Sequence, residues 1–520
     1  MKEPARLVRF LIALQVVLLL ASRAAPQDKT QKWTEVQSPH FSVVTNGSER
    51  QGRQLADQYE AIRSVFEQTL RLRVESGKPF VVMAFKDEKS MRAAMPEFWE
   101  KKGQVHPAGG FQSSGDKIYA FMRLDAGGEN PYHIVYHEYT HMILDLNARS
   151  LPLWMSEGLA EFYGNSTIGE KEVGLGRPAA YLIQTLREGK RLPLAELFQV
   201  TYDSPDYTEA AKVPMFYAES WALTHYLMLA ERTEAGHRNR LSQFLSLLGR
   251  GVDQDEAIRQ VFDDPDKLQA DLGRYMERSA FPYVSIKTKA AGTPKDFRTR
   301  VLSAAETAAR LGDFHLQDGR PQDARPLLEE ALRLQPDLTS AQESLGFLFM
   351  RQGDRTEALR WFDKAIAGDS KNFLAHYYHA TLTLTELATT EDGAGQVEAS
   401  LVRALHLNPY FAPAYIALAR LFLLDDQKVD RALELARKAV DLEPGSFSNQ
   451  IMLGTVLVRL GRYEEALKLA RTMEQSARSQ VEKNMVQSFI KSLNQVQGKK
   501  DPGSSANRIR ITPPRLFTTY

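Results

Sequence analysis

The chain has 520 residues, and its 66 Lys and Arg nearly balance 65 Asp and Glu, for a formal net charge of +1. This balance gives neither the basic surface that nucleic-acid binding needs nor a strongly acidic coat. Because the sequence contains no Cys, disulfides, thiolate metal ligands and a cysteine nucleophile are all excluded. A hydrophobic content of 43% is ordinary for a globular protein, and this length suits about three domains.

The N-terminus has the pattern of a secretory signal peptide. Basic residues precede an apolar run over 10–21, and the small residues Ser22 and Ala24 follow it at the positions that a signal peptidase reads. We therefore predict a signal peptide over 1–24 and export to the periplasm or the extracellular space. The alternative is an N-terminal membrane anchor, but the run is shorter than the ~20 residues of a spanning helix, and Gln15 interrupts it.

Residues 30–285 are predicted to form one domain of the α+β class, in which a small sheet is followed by helices. Alternating or continuously apolar stretches predict strands, and apolar residues at helical spacing predict a helix. The predicted strands are 40–45, 80–85 and 117–122, and the first predicted helix is 50–74. From residue 130 onward nearly every segment has a helical pattern.

Residues 304–495 contain a sequence repeat of about 34 residues. Leu311, Gly312 and Ala324 recur as Leu345, Gly346 and Ala358, and three further units follow. Small residues at these positions allow paired helices to approach closely. The pattern resembles the tetratricopeptide repeat, with about five units, and the resemblance implies an all-α solenoid that binds a protein partner.

Two segments of biased composition flank these repeats. Residues 286–303 are polar and contain Gly292 and Pro294, which predicts a linker. Residues 496–520 are rich in Lys, Gly, Ser and Pro, which predicts a disordered tail.

Two histidines four residues apart give the strongest chemical signal in the N-terminal domain. On a helix, His137 and His141 lie on one face, one turn apart. Two imidazoles so placed can bind one Zn²⁺, and Glu138 lies where it can polarise a water molecule on the ion. The alternative is a pair of core or surface histidines with a solvated Glu between them.

A catalytic zinc site needs a third protein ligand, and no His follows within a dozen residues of His141. A turn over 147–152 predicts an antiparallel pair of helices, in which His141 and Glu157 lie level with each other. Glu157 is therefore the predicted third ligand, and Gly158 removes a side chain where helices must be close. Glu161, one turn further, is the predicted acceptor for the free N–H of a ligand His.

Two motifs together resemble the thermolysin-like gluzincins, specifically the peptidase-MA-like domain. They are His137-Glu138-x-x-His141 and Trp154-x-Ser156-Glu157-Gly158-x-Ala160. The resemblance covers roughly 33–280 and implies a zincin-like metallopeptidase fold. It further implies one zinc ion on His137, His141 and Glu157, with Glu138 as the base. Because the spacing from His141 to Glu157 is shorter than in thermolysin itself, Glu161 stays a rival third ligand.

Three further features are candidates around the site. Tyr217 lies in a segment that looks like the tyrosine-containing helix of this family, which implies a hydroxyl that stabilises the oxyanion; the alternative is a core aromatic. His225 is a weaker candidate, and His133 is expected to support the site or to be solvated. The strand at 117–122 is expected either to offer its edge to an extended peptide or to be an ordinary strand.

Three hypotheses follow from these patterns. The favoured one is an exported zinc metallopeptidase that acts on protein or peptide substrates, with a repeat domain for docking and no stable membrane span after signal cleavage. The second is a tetratricopeptide adaptor or scaffold whose zinc domain is inactive or structural. The third is a zinc hydrolase that acts on a non-peptide bond, because ligands alone do not determine the substrate.

Overall fold

A computed structural model gives the fold of most of the chain. The described residues are 32–68, 71–99, 108–127, 130–147, 151–169, 172–230, 239–262, 265–287, 294–387, 391–477 and 480–497. The predicted signal peptide, 1–24, lies outside these ranges, as do residues 498–520 of the predicted tail. No helix within these ranges combines the length and the apolar character that crossing a membrane requires.

The described part of the chain contains nine strands in two sheets. The strands are β1 (Thr34–Gln37), β2 (Phe41–Thr45), β3 (Phe80–Phe85), β4 (Gly109–Ser113), β5 (Ile118–Arg123), β6 (Thr167–Ile168), β7 (Glu172–Leu175), β8 (Val284–Lys287) and β9 (Arg298–Val301). The larger sheet has the order β4-β5-β3-β2-β1-β9, and the smaller sheet has the order β6-β7-β8. In the larger sheet, β3 pairs in parallel with β2 and β5, whereas the outer pairs are antiparallel.

Eleven helices accompany these strands in the described part of the N-terminal domain. They are α1 (Glu49–Gln68), α2 (Glu88–Ala94), α3 (His133–Asn147), α4 (Leu153–Gly164), α5 (Ala180–Glu188), α6 (Leu194–Leu197), α7 (Pro205–Thr208), α8 (Val213–His225), α9 (Arg240–Gly249), α10 (Gln254–Phe262) and α11 (Pro265–Met276). A π-helical turn, Tyr226–Ala230, extends α8. Strand β3 is buried along its whole length, because helices cover both faces of the sheet.

An aromatic cluster fixes α3 against one face of the larger sheet. Phe41 and Phe80 from the strands meet Tyr59 from α1 and Tyr139 from α3, with ring centroids 5.0–6.2 Å apart. All four side chains are buried, so removing them from water stabilises the contact. Since Tyr139 points into this core, the other side of α3 faces away from the sheet.

Eleven more helices follow in the described part of the chain. They are α12 (Ala304–Gln317), α13 (Pro321–Leu334), α14 (Thr339–Gln352), α15 (Arg355–Ala367), α16 (Phe373–Leu387), α17 (Glu391–Leu407), α18 (Ala412–Phe422), α19 (Val429–Leu442), α20 (Phe447–Arg459), α21 (Tyr463–Ser476) and α22 (Gln480–Gln497). The first ten pack as five consecutive pairs, as the repeat predicts. The second pair shows how close the helices are. A Cβ at Gly346 in α14 would lie only 2.5 Å from the Phe362 ring in α15, so a glycine is needed there.

The first repeat helix covers the opposite face of the larger sheet. Phe314 of α12 is fully buried and packs against Phe85, Tyr119 and Phe121, with ring centroids 5.6–6.2 Å apart. The face of a sheet that would otherwise meet water is therefore closed by the repeats. The N-terminal domain and the repeats therefore share an apolar interface in addition to their covalent connection.

A buried polar network ties the turn between β4 and β5 to the repeats. Lys117 Nζ lies 2.9 Å from an Asp116 oxygen and 3.0 Å from Asp313 Oδ2 of α12. Ser344 donates to the other Asp313 oxygen at 2.8 Å, and the Asn372 amide donates to Asp116 at 2.7 Å. Because buried charges are costly without such partners, the network favours one arrangement of the two domains.

Two predictions from the sequence are corrected by the sheet. The predicted linker, 286–303, is wrong at 298–301, because these residues form β9 and pair with β1 at the edge of the larger sheet. The strand predicted at 117–122 does not offer an edge to a peptide, because β5 lies between β4 and β3. The edge belongs to β4, whose two leading glycines are poor strand formers.

We predict that Phe314→Ala lowers the free energy of unfolding by about 3–5 kcal/mol, because the change leaves a cavity between the sheet and α12. Denaturant unfolding of the full chain measures this loss. Leu424→Ala is the control, because this side chain is 70% exposed and its removal should cost less than about 0.5 kcal/mol. Equal unfolding curves for the two variants would contradict the packing described here.

Candidate functional site

The start of α3 is tied to the end of α4 by one side chain. Asn130 Oδ1 accepts the N–H of Tyr132 at 3.0 Å, which caps the helix start. The Asn130 amide donates to the carbonyls of Gly164 and Ser166 at 3.1 and 3.0 Å. The two helices predicted to carry the metal ligands are therefore fixed relative to each other at the end away from their connecting turn.

Helix α4 also packs closely against α8. A Cβ at Gly158 would lie 2.4 Å from the carbonyl oxygen of Ser220 and 2.2 Å from Thr224 Oγ1. The sequence predicts that Gly158 allows approach within the α3–α4 pair, and the structure corrects this, since the neighbour is α8. This contact sets the separation between the helix of Glu157 and the helix of Tyr217.

Three side-chain atoms from α3 and α4 converge at one point. The Nε2 atoms of His137 and His141 are 3.2 Å apart, and Glu157 Oε2 lies 3.4 Å from each of them. In a tetrahedral site with bonds of about 2.0–2.1 Å, neighbouring ligand atoms lie about 3.3–3.4 Å apart. The three atoms therefore form a group that could hold one metal ion.

The outer nitrogen of each imidazole also has a neighbour. His141 Nδ1 lies 3.2 Å from Ser156 Oγ, and His137 Nδ1 lies 3.3 Å from Glu161 Oε1. With a metal bound, an acceptor at Nδ1 would hold the ring proton there and leave the Nε2 lone pair for the ion. Both Nε2 atoms face the convergence point.

The two oxygens of Glu157 have different surroundings. Oε1 accepts a hydrogen bond from the Tyr207 hydroxyl at 3.1 Å, whereas Oε2 is buried and has no hydrogen-bond partner in the described part of the chain. Burial acts to raise the pKa of Glu157, but His137 and His141 outweigh it and lower the pKa to about 2. A buried, ionised oxygen without a donor is costly, and a cation at the convergence point would satisfy it.

Glu161 lies behind His137, away from the convergence point. Its Oε2 accepts from the Tyr181 hydroxyl at 2.8 Å and from the Asn165 amide at 3.2 Å, and it lies 3.0 Å from His133 Nε2. Its Oε1 faces Nδ1 of His137, the nitrogen on the other side of the ring from Nε2. His133, His137 and Glu161 are close enough to form a second candidate group. However, the Tyr181 hydroxyl and the Asn165 amide already donate to Oε2 of Glu161.

Glu138 lies next to the group formed by His137, His141 and Glu157, and it is partly buried. Its carboxylate makes no hydrogen bond or ion pair with the residues that the structure describes. Burial raises its pKa, and the neighbouring imidazoles of His137 and His141 act in the opposite direction. A carboxyl group with a raised pKa and an open hydrogen-bonding position can accept and return a proton.

Tyrosines form one side of the site. The Tyr217 ring lies 6.0 Å from the His137 ring and is stacked on Tyr207, with centroids 6.3 Å apart and planes at 17°. Tyr202, which is 68% exposed, meets the edge of Tyr207 at 5.4 Å. The sequence pattern indicates Tyr217 but not Tyr202 or Tyr207. Tyr202 precedes the four-residue helix α7 and Tyr207 lies within it. No periodic pattern in the sequence marks either residue.

His225 belongs to the core and not to the site. It is fully buried, with Nδ1 2.8 Å from the Tyr275 hydroxyl and Nε2 2.8 Å from the carbonyl of Gly176. Burial lowers its pKa to about 4, so the ring is neutral at neutral pH. Both of its nitrogens are used by the fold, which leaves no role for this side chain at the convergence point.

Two protein families match parts of the sequence. The family described as tetratricopeptide repeat matches residues 309–373 and 417–480. The C-terminal part is a tetratricopeptide-repeat solenoid. The family described as a protein of unknown function, DUF1570, matches residues 133–244. This range includes the three converging residues His137, His141 and Glu157, together with Glu138, Glu161, Tyr207 and Tyr217. No curated protein matches the sequence.

Solved structures that are similar to part of the chain include those of three proteins. YrrB, described as a tetratricopeptide repeat protein with an unusual peptide-binding site, is 17% identical and matches over 35% of this chain and 92% of its own, with a TM-score of 0.31. A tetratricopeptide repeat protein from Parabacteroides merdae is 20% identical over 38% and 74%, with a TM-score of 0.31. Pseudomonas aeruginosa PilF is 20% identical over 39% and 93%, with a TM-score of 0.29.

We predict that Gly158→Ala destabilises the protein by about 1–3 kcal/mol or more, because the added methyl group meets backbone atoms of α8 that cannot move aside. Gly249→Ala is the matched control. It also adds a methyl group to a helical glycine, but no atom lies within 4 Å of the new position. Thermal unfolding compares the two, and a Gly158→Ala midpoint at or above that of the control would contradict the close α4–α8 contact.

Proposed function

We propose that this chain is an exported zinc metallopeptidase that hydrolyses peptide bonds and carries a repeat domain for protein binding. The observation that carries the proposal is the convergence of His137 Nε2, His141 Nε2 and Glu157 Oε2 at separations of 3.2–3.4 Å. Export rests on the signal-peptide pattern over 1–24. A zincin-like arrangement, with two ligands on α3 and one on α4, is part of the same proposal.

The donor set supports zinc over Mg²⁺ and Ca²⁺. Two imidazole nitrogens and one carboxylate oxygen are typical of catalytic zinc, whereas Mg²⁺ and Ca²⁺ favour sites made of oxygen atoms. Three protein ligands leave one coordination position open, which a catalytic site needs and a closed structural site lacks. The orphaned Glu157 Oε2 fits the same interpretation.

The residues around this group have separate roles in the proposed reaction. When bound, zinc supplies Lewis acidity that polarises the scissile carbonyl and lowers the pKa of water towards about 7. Glu138 accepts the proton of the attacking water and passes it to the leaving amine. The Tyr217 hydroxyl donates to the oxyanion that develops on the carbonyl oxygen. Tyr207 is less suited to that task, because it donates its single proton to Glu157.

A protein-binding scaffold with an inactive or structural metal domain is the second candidate, and the tetratricopeptide repeats favour it. Glu138 argues for the enzyme. A metal site that only stabilises the fold has no use for a carboxylate that lies beside two ligands and pairs with no described residue. Hydrolysis of a non-peptide bond uses the same ligands, so the substrate tests below decide between these reactions.

We predict that the chain binds one zinc ion and that His141→Ala abolishes stoichiometric binding. With free zinc 100-fold above its Kd, the free energy of unfolding should rise by about 2.7 kcal/mol in the wild type and not in His141→Ala. His406→Ala, which changes an exposed repeat histidine, is the control and should respond as the wild type does. Metal analysis after dialysis measures stoichiometry. An unchanged zinc content in His141→Ala would exclude this ligand.

We predict that Glu138→Gln keeps zinc but lowers the rate of peptide hydrolysis by about 10²–10⁴-fold, because the amide cannot accept a proton. The measurement is cleavage of a protein mixture, with new peptide termini counted by mass spectrometry. Glu277→Gln, at an exposed position, is the matched control. Zinc-loaded wild type that produces no new termini from any protein would favour the scaffold or a non-peptide substrate.

A further inference from the structure

We propose that Tyr207 is a positioning residue that holds the Glu157 carboxylate in the orientation that binds metal. The inference rests on the proposed function, because it concerns the same metal group, and it adds a residue that neither sequence motif contains. Tyr207 touches the ligand and not the reacting atoms, so its effect is exerted through Glu157.

Helix α7 presents Tyr207 to the site. The helix is only four residues long, and the Ser204 carbonyl accepts the N–H of Tyr207 at 2.9 Å, which fixes the start of the turn. The ring is partly buried between the edge contact with Tyr202 and the stacked ring of Tyr217. These contacts fix the direction of the hydroxyl, which points at Glu157 Oε1.

The hydrogen bond matters because a Glu carboxylate rotates easily about its last torsion angle. A free carboxylate can turn either oxygen, or both, towards a cation. Since the Tyr207 hydroxyl occupies Oε1 at 3.1 Å, only Oε2 faces the Nε2 atoms of His137 and His141. Partners of this kind, one step removed from a metal, affect its affinity by orienting the ligand.

The hydroxyl remains a donor over the working pH range. A phenol has an ordinary pKa of about 10 and is protonated at neutral pH. The phenol therefore keeps its proton, and that proton has Glu157 as its acceptor. The ring also stacks on the Tyr217 ring, and Tyr207→Phe keeps this ring contact.

The test measures the zinc Kd of the full-length protein by competition with a chromophoric chelator. Tyr207→Phe removes only the hydroxyl and is expected to raise the Kd about 10–100-fold. The unfolding midpoint of the metal-free variant should equal that of metal-free wild type. Tyr202→Phe is the matched control, because its hydroxyl makes no hydrogen bond to His137, His141 or Glu157 among the residues that the structure describes. Its Kd should equal that of the wild type.

Three other results would overturn the proposal. A Tyr207→Phe Kd equal to that of the wild type shows that the hydroxyl does not orient Glu157, while zinc binding by wild type leaves the proposed function standing. A Kd that rises equally in Tyr202→Phe shows a general effect of the tyrosine cluster. Wild type that binds no zinc removes the proposed function together with the role of Tyr207.

Discussion

The buried negative charge of Glu157 constrains the design of the N-terminal domain. Glu157 lies among apolar side chains of α4, and burying a carboxylate there is costly unless positive charge or hydrogen bonds compensate. One oxygen has a tyrosine donor, and the other faces two imidazole nitrogens across 3.4 Å. A divalent ion held by all three groups would balance this charge. The contacts of α3 and α4 hold the three groups in this arrangement.

The contacts that hold this arrangement come from every side of α3 and α4. Tyr139 anchors α3 to the sheet, Asn130 ties the two helices at one end, and Gly158 allows α8 to approach α4. Each contact restricts the position of a helix, so the positions of the three converging atoms follow from packing and hydrogen bonding before any ion binds. A site built on helices in this way is rigid, which favours one coordination geometry.

The sequence predicts the parts of the site that local geometry determines. His137 and His141 follow from the helical repeat of 3.6 residues, and Glu157 follows from counting residues on both sides of one turn. The turn between α3 and α4 does not indicate that α8 is the neighbour of Gly158, because that helix lies about 60 residues later in the chain. Tyr207 is not predicted for the same reason, since its contact with Glu157 joins two helices that no local sequence pattern relates.

The contact between the domains has the same long-range origin and changes how the repeats are understood. Asp116 and Asn372 are 256 residues apart in sequence, and no periodicity predicts their pairing. Contacts between the domains extend from the first repeat to the end of the third. Asp313 in the first repeat pairs with Lys117, and the Tyr410 ring after the third repeat lies 4.8 Å from the Arg73 guanidinium. The solenoid is thus partly occupied by its own N-terminal domain, so a partner must bind elsewhere on the repeats or displace a buried ionic network.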